Sequence, residues 1–348
     1  MHRLLFLSLA ISLHLILLDC PLALALPESD LSIVREGIRN LPKFSTAHRF
    51  TGRGGLSIHS LEFTFSANAQ GPVVVIVPGR GESSGKYFET AYDLGQGGVS
   101  SVFVIDHRGQ GFSGRMLPDP QKGHVEDFAD YTADLSRWID EIVLPRSSGR
   151  RIVLVAHSMG GAITAKYLAS ISGTPLSMRF SALLLSSPMF GISWAGSWLE
   201  RLAEASCKNR SPTCNSYVQG TGPYDPTKDT FEANLWTSSL VRFRINREFY
   251  ATYPDTIVTG PTWGWLRQAL LAMKSLRAQR NLAMPFPIFL FSAGADRIVD
   301  NAEEALFCQA QADCTFETLP NAQHSLLEEK DEWRSRVIEK ILLLAKPN

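Results

Sequence analysis

The residue best suited to nucleophilic chemistry in this chain is Ser158. It follows the apolar run at 152–155 and precedes a run of small residues that favours a helix. The pattern predicts a strand, a sharp turn and a helix, with the serine hydroxyl raised out of the sheet and helix N–H groups beside it. A glycine-rich loop without a catalytic role is the alternative. The turn reads Ala156-His157-Ser158-Met159-Gly160-Gly161, in which alanine suits a close crossing of strand and helix.

A serine hydroxyl is a weak nucleophile, and it needs a base that is oriented by a carboxylate. Asp296 comes after the apolar run at 288–291, and His324 lies between a weaker last strand at 316–319 and a C-terminal helix. Because both lie at carboxyl ends of strands, in the order that such triads use, we expect them to reach Ser158. Asp300 competes with Asp296, but its place before a predicted helix favours a capping role.

The oxyanion that forms in acyl transfer needs hydrogen-bond donors. The first is predicted to be the Met159 N–H, and the second the Arg80 N–H in the glycine-containing loop 78–82. The charged segment 106–113 follows another strand, and we interpret it as a structural brace for that loop. Three further histidines are expected to serve roles other than the catalytic base: His107, His124 and His157.

Strands and helices alternate along most of the chain. Strands buried on both faces are predicted from continuous apolar runs at 73–77, 102–105, 152–155, 182–185 and 288–291, and 61–65 alternates like an antiparallel strand. Helical patterns lie at about 86–95, 125–143, 160–171, 301–310 and 327–345. The predicted fold class is therefore α/β, with a mostly parallel central sheet flanked by helices.

The alternation stops between 191 and 280, which divides the predicted core into 26–190 and 281–348. The interrupting segment holds five of the seven tryptophans. We interpret it as a helical cap over the carboxyl edge of the sheet, where ligands bind in open α/β folds. The tryptophans predicted to bind an acyl chain, unless they only fill the core of the cap, are Trp194, Trp198 and Trp236. The arginines that could meet a lipid phosphate, or else form a solvated helix face, are Arg242, Arg244 and Arg247.

The composition is that of a globular protein. The 348 residues are 45% hydrophobic and 20% charged and carry no net charge, which disfavours nucleic acid as a partner. Residues 1–25 combine a short positive start, an apolar run and a small-x-small site, which predicts a signal peptide or, alternatively, a membrane anchor. The protein is therefore expected to be exported to the periplasm or secreted.

Four cysteines lie beyond this segment in two close pairs. In an oxidising compartment this spacing predicts two local disulfides, and four free thiols are the alternative. The pairs are Cys207 with Cys214 and Cys308 with Cys314. Since no His/Cys group has zinc spacing, no metal and no cofactor are expected.

Several segments together resemble the α/β-hydrolase fold, and more narrowly its serine-lipase branch of monoacylglycerol lipases and bacterial lysophospholipases. The resemblance covers about 50–345. It rests on Pro78-Gly79-Arg80-Gly81-Glu82-Ser83, Asp106-His107-Arg108-Gly109-Gln110-Gly111, the turn at 156–161, Gly294-Ala295-Asp296 with His324, and the cap segments 187–191, 220–222 and 260–263. Pro78 and Ala156 depart from the monoacylglycerol lipase pattern of histidine and glycine, and both look like the lysophospholipase side of the branch.

The resemblance implies a serine hydrolase that releases a fatty acid from a lysophospholipid through an acyl-enzyme intermediate. A monoacylglycerol lipase or broad carboxylesterase is the alternative, and a binding protein on a hydrolase scaffold is a third hypothesis. The expected partner is a lipid ester substrate with contact to a membrane surface, and the oligomeric state is left open.

Overall fold

The structure is a computed structural model that describes residues 25–147, 149–193 and 196–346. Within them, eight strands form one sheet in the order β1-β2-β4-β3-β5-β6-β7-β8. The strands are β1 (Thr46–Thr51), β2 (Ser57–Thr64), β3 (Val73–Val77), β4 (Ser101–Asp106), β5 (Ile152–His157), β6 (Ala182–Ser186), β7 (Ile288–Ala293) and β8 (Cys314–Leu319).

The α-helices of the described residues are numbered in chain order. They are α1 (Ser32–Arg39), α2 (Leu41–Phe44), α3 (Phe88–Gln96), α4 (Ala129–Trp138), α5 (Leu144–Arg146), α6 (Met159–Ile171), α7 (Ser197–Ser206), α8 (Leu240–Thr252), α9 (Trp263–Ala278), α10 (Asn301–Gln309) and α11 (Asp331–Ala345). One π-helical turn, Ile139–Val143, joins α4 to α5.

The sheet is parallel from β4 to β8, and β1 and β2 run antiparallel at one edge. The five continuous apolar runs are the inner strands β3 to β7, and every residue of each is buried. Helices cover both faces, with α4, α6 and α9 in one apolar cluster and α1, α3 and α11 in the other. The predicted α/β architecture is confirmed, because strands buried on both sides need helices on both faces.

Three elements near the amino end of the described residues were not predicted from the sequence. The segment before β2 holds α1, α2 and the edge strand β1. In β1 only Phe50 is buried, so the strand carries no apolar pattern and is held by its antiparallel pairing with β2. Predicted helix starts at 125 and 327 also shift to Ala129 and Asp331.

The segment between β6 and β7 carries α7, α8 and α9. It is not a separate layer throughout, because α9 packs on α6 and its Trp263 and Trp265 belong to the main apolar cluster. The boundaries of the predicted core and cap, at 190 and 281, stay a prediction. Both predicted disulfides are present, Cys207 with Cys214 and Cys308 with Cys314.

Candidate active site

Ser158 lies at a sharp turn between β5 and α6. Its φ of 51° is in the region that non-glycine residues avoid, at a cost of about 1–3 kcal/mol. The turn is held because the Ser158 N–H donates to the Ser186 carbonyl at 3.1 Å. A Cβ at Gly160 would clash with the carbonyl oxygens of Val77 and Pro78, so glycine is required for the close approach of helix and strand. The predicted turn is thus present, with the hydroxyl at the carboxyl edge of the sheet.

The structure brings Ser158, His324 and Asp296 together. His324 Nε2 is 2.8 Å from Ser158 Oγ, and His324 Nδ1 is 2.7 Å from Asp296 Oδ2. The other Asp296 oxygen accepts the N–H groups of Ile298 at 2.7 Å and Val299 at 3.0 Å. Both ring nitrogens of the histidine are therefore engaged, one with an acid and one with an alcohol.

The loops after β7 and β8 are joined to each other by backbone hydrogen bonds. The Gly294 N–H donates to the Leu319 carbonyl at 2.8 Å, and the Ala295 N–H donates to the Ala322 carbonyl at 2.9 Å. These bonds place Asp296 beside His324, although 28 residues separate them in the chain. Pairing of two parallel strands therefore determines the acid–base contact.

The acid of this group is held in its charged form. Burial raises the pKa of Asp296, but the hydrogen bond and charge of His324 and the two backbone N–H groups outweigh it, so its pKa is lowered. A charged carboxylate stabilises an imidazolium and fixes which ring nitrogen carries the proton. The arrangement suits a histidine that takes the hydroxyl proton from Ser158.

Two backbone N–H groups beside Ser158 are free to hold an oxyanion. In the loop 78–82, which we name the oxyanion loop, the Gly79 N–H donates to Glu82 at 2.5 Å and the Gly81 N–H donates to Gln110 at 2.7 Å. Within the described part of the chain, neither the Arg80 nor the Met159 N–H donates a hydrogen bond. These are the two predicted donors, and their catalytic role stays a prediction.

The segment 106–113 contacts the oxyanion loop as expected of a brace. Gln110 Nε2 donates to the Gly79 carbonyl at 3.3 Å, and His107 Nε2 lies 3.0 Å from the Pro78 carbonyl. The Arg80 side chain contacts the segment before α9, because its Nη1 donates to the Thr259 carbonyl at 2.6 Å. The guanidinium also lies over Trp265 at 5.2 Å.

The remaining histidines and Asp300 have structural contacts. His157 Nδ1 lies 3.0 Å from the Ser186 carbonyl, and His124 Nδ1 lies 2.8 Å from Thr262 Oγ1. The Asp300 carboxylate accepts the Ala302 N–H and caps α10. Among the described residues, no group of three His, Cys, Asp or Glu side chains is placed to hold a metal ion.

Ser158 and His324 open into a pocket of about 520 Å³. Apolar side chains line part of it, among them Trp236, Val258 and Ile298. The charged side chains that line it are Arg80, Glu82, Lys86, Arg247 and Glu328. An acyl ester with a polar leaving group matches such a mixed lining.

Glu82, Lys86 and Glu328 form a buried charge cluster that the sequence analysis missed. Lys86 Nζ is 3.6 Å from Glu82 Oε1 and 3.6 Å from Glu328 Oε2. Burial raises the pKa of Glu82, but the charge of Lys86 and two hydrogen bonds outweigh it and lower that pKa to about 2. The available signal was spacing: Lys86 follows the oxyanion loop by four residues, and Glu328 follows His324 by four.

Most of the predictions of substrate-binding side chains in the cap need correction. Trp194 lies outside the described residues. Trp198 is 59% exposed and does not line the pocket, whereas Trp236 does. Hydrophobic residue type alone could not separate a pocket wall from the outer surface of the cap.

The three arginines of α8 have three different environments. Arg242 is buried and pairs with Glu89 at 2.9 Å and Asp331 at 2.8 Å, so it does not meet substrate. Arg244 is exposed and does not line the pocket. Only Arg247 lines it, because helical geometry points residues at these spacings in different directions.

The model of the family described as serine aminopeptidase, S33 (Hydrolase_4), matches residues 69–331. Lysophospholipase L2 of Escherichia coli strain K12 is 37% identical over 84% of this chain and 85% of its own length. Probable lysophospholipase L2 of Haemophilus influenzae is 31% identical over 77% and 82%. A monoacylglycerol lipase of Mycolicibacterium smegmatis is 26% identical over 82% and 92%.

Solved structures show the same fold at low identity. A soluble variant of monoglyceride lipase from Saccharomyces cerevisiae, in complex with a substrate analog, has a TM-score of 0.66 at 17% identity, over 86% of this chain and 95% of that one. A carboxyl esterase from Bacillus coagulans, in complex with glycerol, has a TM-score of 0.65 at 16% identity, over 86% and 97%. The predicted α/β-hydrolase fold is confirmed.

The predicted export or membrane anchoring is wrong on the present findings. The names of the relatives do not indicate export. No helix within the described ranges is both long and apolar enough to cross a bilayer. The predicted leader, residues 1–25, lies outside the described residues except for Ala25.

Proposed function

We propose, from the premise that this chain belongs to the serine hydrolase family described as serine aminopeptidase, S33, that it hydrolyses the acyl ester of a lysophospholipid. The observation that carries the proposal is the continuous hydrogen-bond path from Ser158 Oγ through His324 to Asp296. Relatives named lysophospholipase L2 and probable lysophospholipase L2, at 37% and 31% identity, support the substrate class.

The proposed reaction proceeds by two acyl transfers. Ser158 Oγ attacks the carbonyl carbon while its proton passes to His324 Nε2, and the oxyanion accepts the Arg80 and Met159 N–H groups. His324 returns that proton to the glycerol oxygen as the carbon–oxygen bond breaks, which leaves an acyl-serine. Water then gives its proton to His324 and attacks the acyl carbon, and the fatty acid leaves as Ser158 regains its proton.

The experiment that tests this proposal compares Ser158→Ala with the unaltered protein. Hydrolysis of 1-acyl-lysophosphatidylethanolamine should fall by more than about 10³-fold, because the nucleophile acts as one unit with its base. Circular dichroism and the unfolding midpoint serve as the folding control. Labelling by a fluorophosphonate should occur in the unaltered protein alone. Normal turnover in the variant, or no labelling of the unaltered protein, would exclude serine catalysis and favour a binding protein.

A monoacylglycerol lipase is the second candidate, since the Mycolicibacterium smegmatis relative carries that name. The two candidates differ only in the group attached to glycerol. Turnover of a lysophospholipid and a monoacylglycerol with the same acyl chain separates them, and a higher kcat/KM for the neutral lipid would favour this second candidate.

Contact with a membrane surface belongs to the same proposal, because lysophospholipids occur in lipid aggregates. Trp198 and Leu202 support it: they lie one turn apart on α7 and are 59% and 41% exposed. Large exposed apolar side chains favour a lipid surface. Sedimentation with phospholipid vesicles should recover less of a Trp198→Ala, Leu202→Ala double variant than of the unaltered protein. Equal recovery would contradict this contact.

A further inference from the structure

Three cationic side chains line the pocket beside Ser158, and that of Arg80 is already engaged with the Thr259 carbonyl. The other two have no part in the proposed acyl transfer. Lys86 follows the oxyanion loop, and Arg247 comes from α8. Lys86 Nζ is 6.0 Å from the ring centre of Tyr250, and the Arg247 guanidinium carbon is 5.2 Å from it. Two positive groups on one aromatic side chain inside a pocket make a local site for an anion.

Lys86 is held in its charged form with its protons available. Burial lowers the pKa of Lys86, but the charges of Glu328 and Glu82 outweigh it, so its pKa is raised. Each carboxylate lies 3.6 Å from Nζ, which attracts the ammonium but exceeds ordinary hydrogen-bond length. The ammonium also faces the Trp236 ring at 5.6 Å. The two carboxylates therefore attract the Lys86 ammonium, but among the described residues its N–H groups donate no hydrogen bond.

Arg247 is only partly satisfied inside the protein. It pairs with Asp229, and its guanidinium lies over Phe243 at 4.8 Å. Its Nε is buried and has no hydrogen-bond partner among the described residues, which is unusual for a buried donor. Arg247 lines both the pocket of Ser158 and an adjoining pocket of about 730 Å³. It thus lies at the boundary of the two pockets, within reach of both.

The other two arginines of α8 do not contribute to this anion site. Arg242 forms ion pairs with Glu89 and Asp331, and Arg244 is exposed to solvent. Only Arg247 combines access to the pocket with an unused donor. Because one of the three arginines lines the pocket and the other two do not, this position is better suited to binding a specific ligand group than to forming a solvated helix face.

We infer that Arg247 and Lys86 bind the phosphodiester of the glycerophospholipid headgroup, and that Asp229 holds Arg247 until the phosphate displaces it. This inference rests on the proposed function. A phosphodiester offers two unesterified oxygens, which match the fork of a guanidinium, while an ammonium adds a point charge. A monoacylglycerol offers no such anion, so this subsite discriminates between the two candidate substrates.

The test measures kcat/KM of the unaltered protein and of Arg247→Gln on two lipids with the same acyl chain, lysophosphatidylethanolamine and monoacylglycerol. The ratio of the two values should fall about tenfold or more in the variant, since a hydrogen bond to a charged group is lost for one substrate only. Arg244→Gln is the matched control on the same helix, and its ratio should equal that of the unaltered protein. An unchanged ratio in Arg247→Gln would overturn the inference.

Asp229→Asn gives an independent readout if Arg247→Gln does not fold. Removal of the competing carboxylate should lower KM for lysophosphatidylethanolamine about threefold or more and leave the monoacylglycerol KM within error, because a charge pair no longer has to be broken. An unchanged or higher KM for the phospholipid would show that Asp229 does not compete with phosphate.

A third arm separates a lipid headgroup from free phosphate as the source of the anion. Hydrolysis of the neutral ester p-nitrophenyl butyrate is measured with sn-glycero-3-phosphoethanolamine or inorganic phosphate as inhibitor. The headgroup assignment predicts at least about tenfold stronger inhibition by the glycerophosphodiester. Stronger inhibition by inorganic phosphate would overturn it. Ester hydrolysis without any phosphate effect would leave the hydrolase in place and remove only this subsite.

Discussion

Asp296 and Asp300 lie four residues apart after β7, yet their hydrogen bonds assign them different tasks. Asp296 contacts His324, whereas Asp300 accepts a backbone N–H at the start of α10. The pair offers a test at the scale of single residues, because both positions carry the same side chain in one short segment.

Asp296→Asn is expected to lower kcat by about 10⁴-fold, because an amide in place of the carboxylate favours the wrong histidine tautomer and leaves an imidazolium unsupported. Steady-state hydrolysis of a soluble ester measures this change. Asp300→Ala should keep full activity and lose about 1 kcal/mol of unfolding free energy, since only a helix cap is removed. Similar activity losses in the two variants would contradict the assignment of Asp296 as the acid.

At the scale of elements, the oxyanion loop depends on residues from another segment. Gln110 binds both sides of it, accepting from the Gly81 N–H and donating to the Gly79 carbonyl. With Glu82 on the Gly79 N–H, this arrangement leaves the Arg80 N–H free. We therefore expect Gln110 to be a positioning residue, which acts on the reaction through the backbone that it holds.

Gln110→Ala is expected to lower kcat about tenfold to a hundredfold with little change in KM. The reason is that a misplaced oxyanion donor weakens stabilisation of the transition state more than binding of the ground state. Gln268→Ala is the control, because it removes another side-chain hydrogen bond to backbone, the one to the Phe128 N–H at 3.3 Å, away from the site. If both variants were less stable but kept the kcat of the unaltered protein, a positioning role for Gln110 would be ruled out.

At the scale of the whole molecule, buried neutral histidines link stability to pH. Burial lowers the pKa of His107 from 6.5 to about 4, and it lowers the pKa of His157 equally. In the unfolded chain these two histidines become protonated near pH 6.5, whereas in the folded protein they stay neutral down to about pH 4. Each of the two histidines should therefore lower the unfolding free energy by about 3 kcal/mol as the pH falls through this window.

His107→Gln isolates this effect, because glutamine retains a donor for the Pro78 carbonyl but does not titrate. Urea unfolding at pH 7, 5.5 and 4.5 should show that stability falls less steeply in the variant than in the unaltered protein. The comparison of two proteins matters, since burial raises the pKa of Glu304 and gives a pH dependence of opposite sign. Parallel curves for the two proteins would refute the neutral state of His107.

The sequence by itself determined the inner strands, the turn at Ser158 and the placement of Asp296 and His324 at the ends of strands. These features are local: an unbroken apolar run marks a strand buried on both faces, and residue order places side chains at strand ends. Pairing of β7 with β8 then decided the contact between acid and base, since their loops are joined by backbone hydrogen bonds.

Only the tertiary structure decided which charged side chains face the pocket. Arg242, Arg244 and Arg247 are alike in sequence, but one is buried in ion pairs, one faces solvent and one lines the site. Lys86 lies just before α3 and Glu328 just before α11, and the two meet because these helices pack on the same face of the sheet. Burial and charge pairing depend on contacts between residues that are far apart in the sequence, whereas sequence spacing indicates only which residues are neighbours along one element.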